Sequence, residues 1–215
     1  MEPIAQLEEA MDRLAHAQRE PLAAILGFAD ILTRAPTGPA ETAHAGGRIL
    51  AAAQMLDRRV EEALAYARAA TDPLRLEPTD CEALVEDALG GVPPRSAGLS
   101  DPSGKLPTVT GDRAKLATVF ATLVSLALTT ATPGGAGVTV SAAREGALWR
   151  FSVGAGAPLS GIDSGAFELF GRRAGPGEWS GDLAICRRLI ERHGGSVWLE
   201  PEADAPTGFA FTLAA

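Results

Sequence analysis

Apolar residues recur at spacings of three and four through roughly the first seventy positions, and from Leu74 onward the pattern changes to short alternating runs. Written as a heptad, Ile4, Met11, Gln18, Ile25 and Leu32 fall on one seam position and Leu7, Leu14, Pro21, Phe28 and Ala35 on the other. This predicts a helix from about Ile4 to Arg34 that packs against other helices. Pro21 predicts a kink in it, because its ring clashes with the preceding turn and it brings no N–H. His16 falls off the seam, so its imidazole faces solvent. Pro36-Thr37-Gly38-Pro39 breaks the helix, and a second helical pattern follows with Ile49, Ala53, Leu56, Val60, Ala63, Leu64 and Ala67, ending near Asp72-Pro73. Two amphipathic helices joined by a short turn form an antiparallel hairpin. Two helices alone bury too little apolar surface, so a second copy should complete a four-helix bundle, and a homodimer is expected.

The remainder predicts interleaved helices and strands. Thr79-Asp80-Cys81-Glu82 reads as a capping box opening a helix from Cys81 to Leu89, and the Pro-, Gly- and Ser-rich stretch Val92 to Gly104 as a loop. Val109-Thr110 is a short strand candidate. Arg113 to Thr130 reads as a largely buried helix ended by Pro133-Gly134-Gly135. Val138 to Ser141 and Leu148 to Val153 form a β-hairpin across Glu145-Gly146. A helix from Asp182 to His193 stops at Gly194-Gly195, and strands Ser196 to Leu199 and Phe209 to Leu213 follow. Hairpins dominate, so the fold class is α+β, a helical hairpin followed by an α/β sandwich.

Composition narrows the function classes. The 215 residues are 46% hydrophobic, enough for one or two cores, and carry a net charge of -8 with no Lys/Arg run. A phosphate-tracking nucleic-acid surface is therefore not expected. Cys81 and Cys186 lie far apart without metal-ligand spacing, so both read as small buried residues of a reducing compartment, and no metal site is expected. The uncharged stretch Leu116 to Ala131 is short for a bilayer, and the opening residues do not resemble a signal peptide. The expectation is a cytoplasmic chain with no membrane segment.

His16-Ala17-Gln18-Arg19-Glu20-Pro21-Leu22 resembles the His-x-x-Arg-x-Pro-Leu motif of bacterial sensor histidine kinases. Ala24 to Leu32 is similar to the segment that follows it there. Gly111-Asp112-Arg113-Ala114-Lys115-Leu116, Phe167-Glu168-Leu169-Phe170, Leu183-Ala184-Ile185 and His193-Gly194-Gly195 resemble stretches of that family's ATP-binding domain, in its order and spacing. The resemblance implies two domains: a dimerisation and phosphoacceptor hairpin over 1–72, and an ATP-binding-type domain over 73–215. It implies that His16 is the phosphoacceptor, and that Arg19, Glu20, Pro21 and Leu22 dock a receiver domain.

At the nucleotide site the chain departs from the family pattern. Leu126 stands where the family has the asparagine that holds magnesium, with Thr122 at the preceding asparagine and Thr129 in place of a lysine. Leucine cannot ligate a hard cation. The family's Asp-x-Gly-x-Gly becomes Ala155-Gly156-Ala157-Pro158-Leu159, which removes the adenine-specifying acceptor. Ser180-Gly181-Asp182-Leu183 replaces the phosphate loop, where Asp182 is expected to act as N-cap and repel a triphosphate. Ala17 replaces the acid that serves the acceptor imidazole as base, and Glu20 stands where an amide or hydroxyl residue would orient water. ATP and magnesium are thus expected to be lost as cofactors.

The leading expectation is a degenerate histidine kinase of the DivL kind, a dimer that binds a receiver domain or another histidine kinase. The alternatives are a histidine phosphotransferase working through His16 and an active kinase with a divergent site. Bland readings stand for other residues: His44 as a solvated helix position, Trp149 and Trp198 as sheet core, Trp179 in the lid, and Arg172-Arg173 and Arg187-Arg188 as solvated faces.

Overall fold

The computed structural model describes residues 11–34, 38–90, 105–130, 137–170, 181–201 and 206–215. The chain divides into two compact units, Met1–Arg68 and Ala69–Ala215. Several sequence expectations lie outside the described residues: Ile4, Leu7, Ala35 and Pro36-Thr37, the loop Val92 to Gly104, Pro133-Gly134-Gly135, Arg172-Arg173, Trp179 and Ser180.

The first unit is a helical hairpin. Residues 11–17 are helical (α1), Gln18 is a turn, and α2 runs Arg19–Arg34. The break thus falls three residues before Pro21, and not at it as expected. The reason is local: Pro21 cannot donate to the Ala17 carbonyl, so the loss is felt at the turn preceding the ring. The flanking ladder survives, with Gln18 N–H donating to Leu14 O at 3.0 Å and Leu22 N–H to Gln18 O at 3.2 Å. Helix α3, Pro39–Thr71, opens with a proline at its first position, and the Glu41 carboxylate reaches back to the Gly38 N–H at 3.2 Å.

The pairing of α2 with α3 reads directly from their contacts. The Phe28 ring meets the His44 ring edge-on at 6.0 Å and the Arg48 guanidinium at 5.7 Å, while the Ala17 carbonyl accepts from Arg59. As α2 positions fall, α3 positions rise, which is the antiparallel register. Pro21 is buried and Leu14, Ile25, Phe28 and Leu32 are half-buried on the expected seam; Met11, on the same seam, is exposed. On α3 the buried line is Ala45, Ala52 and Arg59, seven residues apart, continued by the half-buried Tyr66. Val60 and Leu64 belong to an exposed stripe that includes Leu50, and Leu22 and Leu26 form a matching one on α2.

The second unit is an α+β sandwich. Strand β1 (Glu77–Asp80) pairs antiparallel with β2 (Thr108–Gly111), an element missed in the sequence pattern. Helix α4 (Cys81–Gly90) follows directly. Its cap is Asp80, whose carboxylate accepts the Glu82 N–H at 3.0 Å. The expected capping box is therefore corrected: Thr79 stays in the strand and donates its hydroxyl to the Gly111 carbonyl at 3.0 Å. Helix α5 (Arg113–Thr130) packs between α4 and α6 (Asp182–Arg192).

The main sheet has the order β3-β4-β6-β5, antiparallel throughout, with β3 at Thr139–Glu145, β4 at Leu148–Gly154, β5 at Val197–Glu200 and β6 at Gly208–Ala214. Glu145 pairs with Leu148, so the β3–β4 turn is Gly146-Ala147, and Gly146 takes φ 66° there. Only glycine adopts that conformation without cost.

The core lies between α5 and one sheet face. Phe120 of α5 meets Phe151 of β4 and Phe211 of β6 edge-on at 5.6 and 5.4 Å, and those two stack at 5.0 Å. Edge-to-face packing of this kind adds to the burial term. Trp149 packs against this core. Trp198 does not: the register puts it on the opposite face, where the Arg150 guanidinium lies 5.6 Å over its ring. Arg188 is buried, contrary to the solvated-face expectation, while Arg187 is exposed and pairs with Glu191 at 2.9 Å. Among the described residues one helix, Arg113–Thr130, is long and apolar enough by composition to cross a membrane, and its Leu116, Val119, Phe120 and Leu123 are fully buried in this core.

Candidate functional site

Each unit carries one group of the residues singled out above. In the first, His16 is exposed on the last turn of α1, and Ala17 beside it is half-buried. Arg19, Glu20 and Leu22 are exposed on the first turn of α2 around the buried Pro21. Glu20 stands one helical turn beyond His16, at the end of α2 where free N–H groups favour an acidic side chain. An exposed imidazole with an open surface on the following turn can accept a group delivered by a second protein.

In the second unit, the residues expected around a nucleotide are part of the packing. Ala155 and Leu159 are buried members of the core cluster, and Leu126 packs against it from α5. The segment is strapped by its backbone: Ala155 N–H donates to Thr207 O at 2.9 Å, Leu159 N–H to Pro206 O at 2.7 Å and Ser160 N–H to Thr130 O at 2.7 Å. Ala157 is half-buried between them. Thr122 is also half-buried, and its side chain is hydrogen-bonded to the Cys186 thiol. Burial pushes that thiol up to about 12, with the negative charge of Asp182 adding to the shift against the Thr122 bond. The Thr129 and Thr130 hydroxyls both donate to the Leu126 carbonyl, at 3.3 and 2.6 Å.

At the start of α6, Gly181 is the N-cap and Asp182 the first helical residue. The expectation that Asp182 itself caps the helix is corrected, because Gly181 already closes the first turn by accepting the Ile185 N–H at 2.9 Å. Asp182 still sets a negative charge on the turn whose free N–H groups would face an anion. Among the described residues no group of three or more His, Cys, Asp and Glu side chains converges as metal ligands.

A junction that the sequence pattern did not single out ties the sandwich together. Asp112 is buried at the N-terminus of α5; its carboxylate accepts the Arg75 N–H at 2.9 Å and the Lys115 N–H at 3.2 Å. Its own N–H donates to His193 Nε2 at 3.0 Å, and His193 Nδ1 lies 2.7 Å from the Leu189 carbonyl, to which it donates. Burial pushes the Asp112 carboxyl up, but the two N–H bonds and the charge on Lys115 outweigh it and hold it below the usual carboxylate value. The signal was present in the sequence: an Asp just before a helix is the commonest kind of cap.

Comparison with known proteins finds no matching family model. Among curated proteins, the chain is 28% identical over 168 residues to the phytochrome-like protein Cph1 of Synechocystis, covering 74% of this chain and 22% of that one. It is 31% identical over 215 residues to the sensor protein DivL of Caulobacter vibrioides, covering 93% and 26%. It is 27% identical to the adaptive-response sensory kinase SasA of Synechococcus elongatus, covering 96% and 59%. The chain thus spans about a fifth to a quarter of the first curated relatives it matches. Among solved structures, the histidine kinase ThkA in complex with the response regulator TrrA superposes with a TM-score of 0.62 at 21% identity, covering 98% of this chain and 62% of that one. The Acinetobacter baumannii histidine kinase AdeS gives a TM-score of 0.57 at 16% identity, covering 93% and 97%.

Proposed function

The chain belongs to the sensor histidine kinases, as the helical hairpin and ATPase-type sandwich of their core, and from that premise we propose that it is a two-component signalling module without ATP-dependent autokinase activity. In this reading it works as a dimer and docks a receiver domain, or a partner kinase, on the surface that Arg19, Glu20 and Leu22 form, with the buried Pro21 packed beneath it and not itself presented as the sequence had suggested. One observation carries the proposal: Leu126, Ala155 and Leu159, which the family resemblance sets at the positions of nucleotide and metal contacts, are packed into or against the hydrophobic core. An aliphatic wall offers magnesium no oxygen and offers adenine no acceptor. With Thr122 bonded to Cys186 and Asp182 at the helix start, these residues do not fit a magnesium nucleotide.

The dimer is supported by the exposed Leu26 on α2 and the exposed stripe Leu50/Val60/Leu64 on α3, which a second hairpin would bury. The structural neighbour ThkA is solved in complex with a response regulator, which supports a receiver domain as the partner.

The test is calorimetric titration with ATP and magnesium, together with transfer of label from γ-labelled ATP. No binding heat and no label on His16 are expected. Micromolar binding accompanied by label on His16 would overturn the proposal.

A second reading is favoured by the exposure of His16. A phosphorylated receiver would supply the phosphoryl group: an imidazole nitrogen attacks phosphorus, the bond to the receiver aspartate oxygen breaks, and the ring releases its proton. Label passing from a phosphorylated receiver to the wild type and not to His16→Ala supports transfer. Equal receiver binding by both proteins without label assigns a scaffold.

A further inference from the structure

The heptad line of α3 places a guanidinium where small or aromatic side chains stand elsewhere. Ala45, Ala52 and Tyr66 share that line with Arg59, which is 4% exposed. A buried cation persists only where hydrogen-bond acceptors compensate its lost hydration. Arg59 Nη1 donates to the carbonyl of Ala17. That carbonyl has a specific need for an outside donor, because the residue four positions on is Pro21, which has no N–H. The bonds on either side, Gln18 to Leu14 and Leu22 to Gln18, belong to the ordinary ladder. The guanidinium therefore fills the one place that the proline leaves open.

We propose that Arg59 is a positioning residue for His16. By holding the Ala17 carbonyl, it fixes the peptide plane next to His16 and the turn at Gln18, and so sets the direction in which the imidazole leaves the helix. The inference rests on the reading of His16 as a phosphoryl acceptor. Attack on phosphorus demands an aligned nitrogen, so a loosened turn slows transfer while leaving the imidazole present.

The experiment uses the full chain labelled with carbon-13, in four forms: wild type, Arg59→Met, Pro21→Ala and the double variant. Two quantities are read: the carbonyl carbon shift of Ala17 by NMR, and the rate of His16 labelling by a phosphorylated receiver. Arg59→Met is expected to move the Ala17 carbonyl resonance upfield and to slow labelling roughly tenfold or more. Arg59→Lys, which keeps a cationic donor, restores most of both. Pro21→Ala supplies the missing N–H, so in that background Arg59→Met should change neither quantity beyond a factor of about two.

An unchanged Ala17 resonance in Arg59→Met, or the same slowing with and without Pro21, overturns the proposal. If Arg59→Met does not fold, the double variant decides: recovery of the fold there supports the role of Arg59 at this carbonyl, and failure there opposes it. If the wild type accepts no label, the acceptor reading fails, and the carbonyl shift together with the His16 ring resonances still decides whether Arg59 orients this turn.

Discussion

Replacing Asp112 by alanine removes the cap of α5 and an acceptor at the junction of three elements. Loss of an Asp N-cap bond to Lys115 costs about 1 kcal/mol. The Arg75 N–H also loses its acceptor; Arg75 is exposed, so water recovers part of that bond and the further cost is about 1 kcal/mol. A total of about 2 kcal/mol in a domain of this size lowers the melting temperature by roughly 4–8 °C. Differential scanning calorimetry of the full chain at pH 7 reads it directly. Asp112→Asn keeps one carbonyl oxygen and should lose less than half as much.

The pH dependence of this effect has a definite sign. The folded-state pKa of Asp112 is depressed, so its contribution is complete above the unfolded carboxyl value near 4 and is lost as pH falls through the lower folded value. The gap between wild type and Asp112→Asn should therefore be widest near neutrality and close in acid. Melting of Asp112→Ala within 1 °C of wild type, or a gap that widens in acid, would refute the assignment of the carboxylate as an ionised cap.

Two other predictions test the packing. A Cβ on Gly195 would sit 1.8 Å from the Thr212 carbonyl oxygen, so Gly195→Ala should displace β6 and abolish a cooperative melt, while Gly27→Ala, with open space around it, should leave the melt unchanged or raise it slightly. Burial pushes both thiols up to about 12, with a minor contribution from Asp80 at Cys81. A disulfide-exchange reagent at pH 8 should therefore leave Cys81 and Cys186 intact in the native protein and modify both in denaturant.

Long periodic elements were legible in the sequence because their patterns repeat. Helix α5 was read to its observed limits, and the hairpin of the first unit emerged from its heptads. Glu77-Pro78-Thr79-Asp80 was missed as a strand because it has neither alternation nor β-branched density. It exists because β2 offers backbone partners from Gly111 to Thr108. The face of α3 was read only in part: Ile49, Leu56, Ala63 and Ala67 are half-buried as their spacing predicts, but the fully buried line was not seen. An alanine-rich helix offers several apolar lines of similar strength, and the one that faces α2 runs through Ala45, Ala52 and Arg59, where a charged residue hid the repeat.

Asp182 and Pro21 show the same limit at single residues: the chemistry was visible, and its position along the backbone moved by one to three residues. At the candidate site, the identities of Leu126, Ala155 and Leu159 were plain in the sequence. Their incorporation into one apolar cluster came from the strapping of residues 155–160 by Thr207, Pro206 and Thr130, which no local pattern encodes.

The proline in the first helix also bears on the order of folding. A helix normally closes each backbone bond within four residues, on the submicrosecond scale of local ordering. Pro21 transfers one such bond from a neighbour to Arg59, 42 residues away along the chain. That bond cannot form until α3 has docked, so the turn at Gln18 is completed late while the turns on either side can form early. Interactions absent from the transition state govern the unfolding rate and leave the folding rate nearly untouched. The turn beside His16 is thus held by a contact that acts as a latch on unfolding, and its strength can change without altering how fast the hairpin assembles.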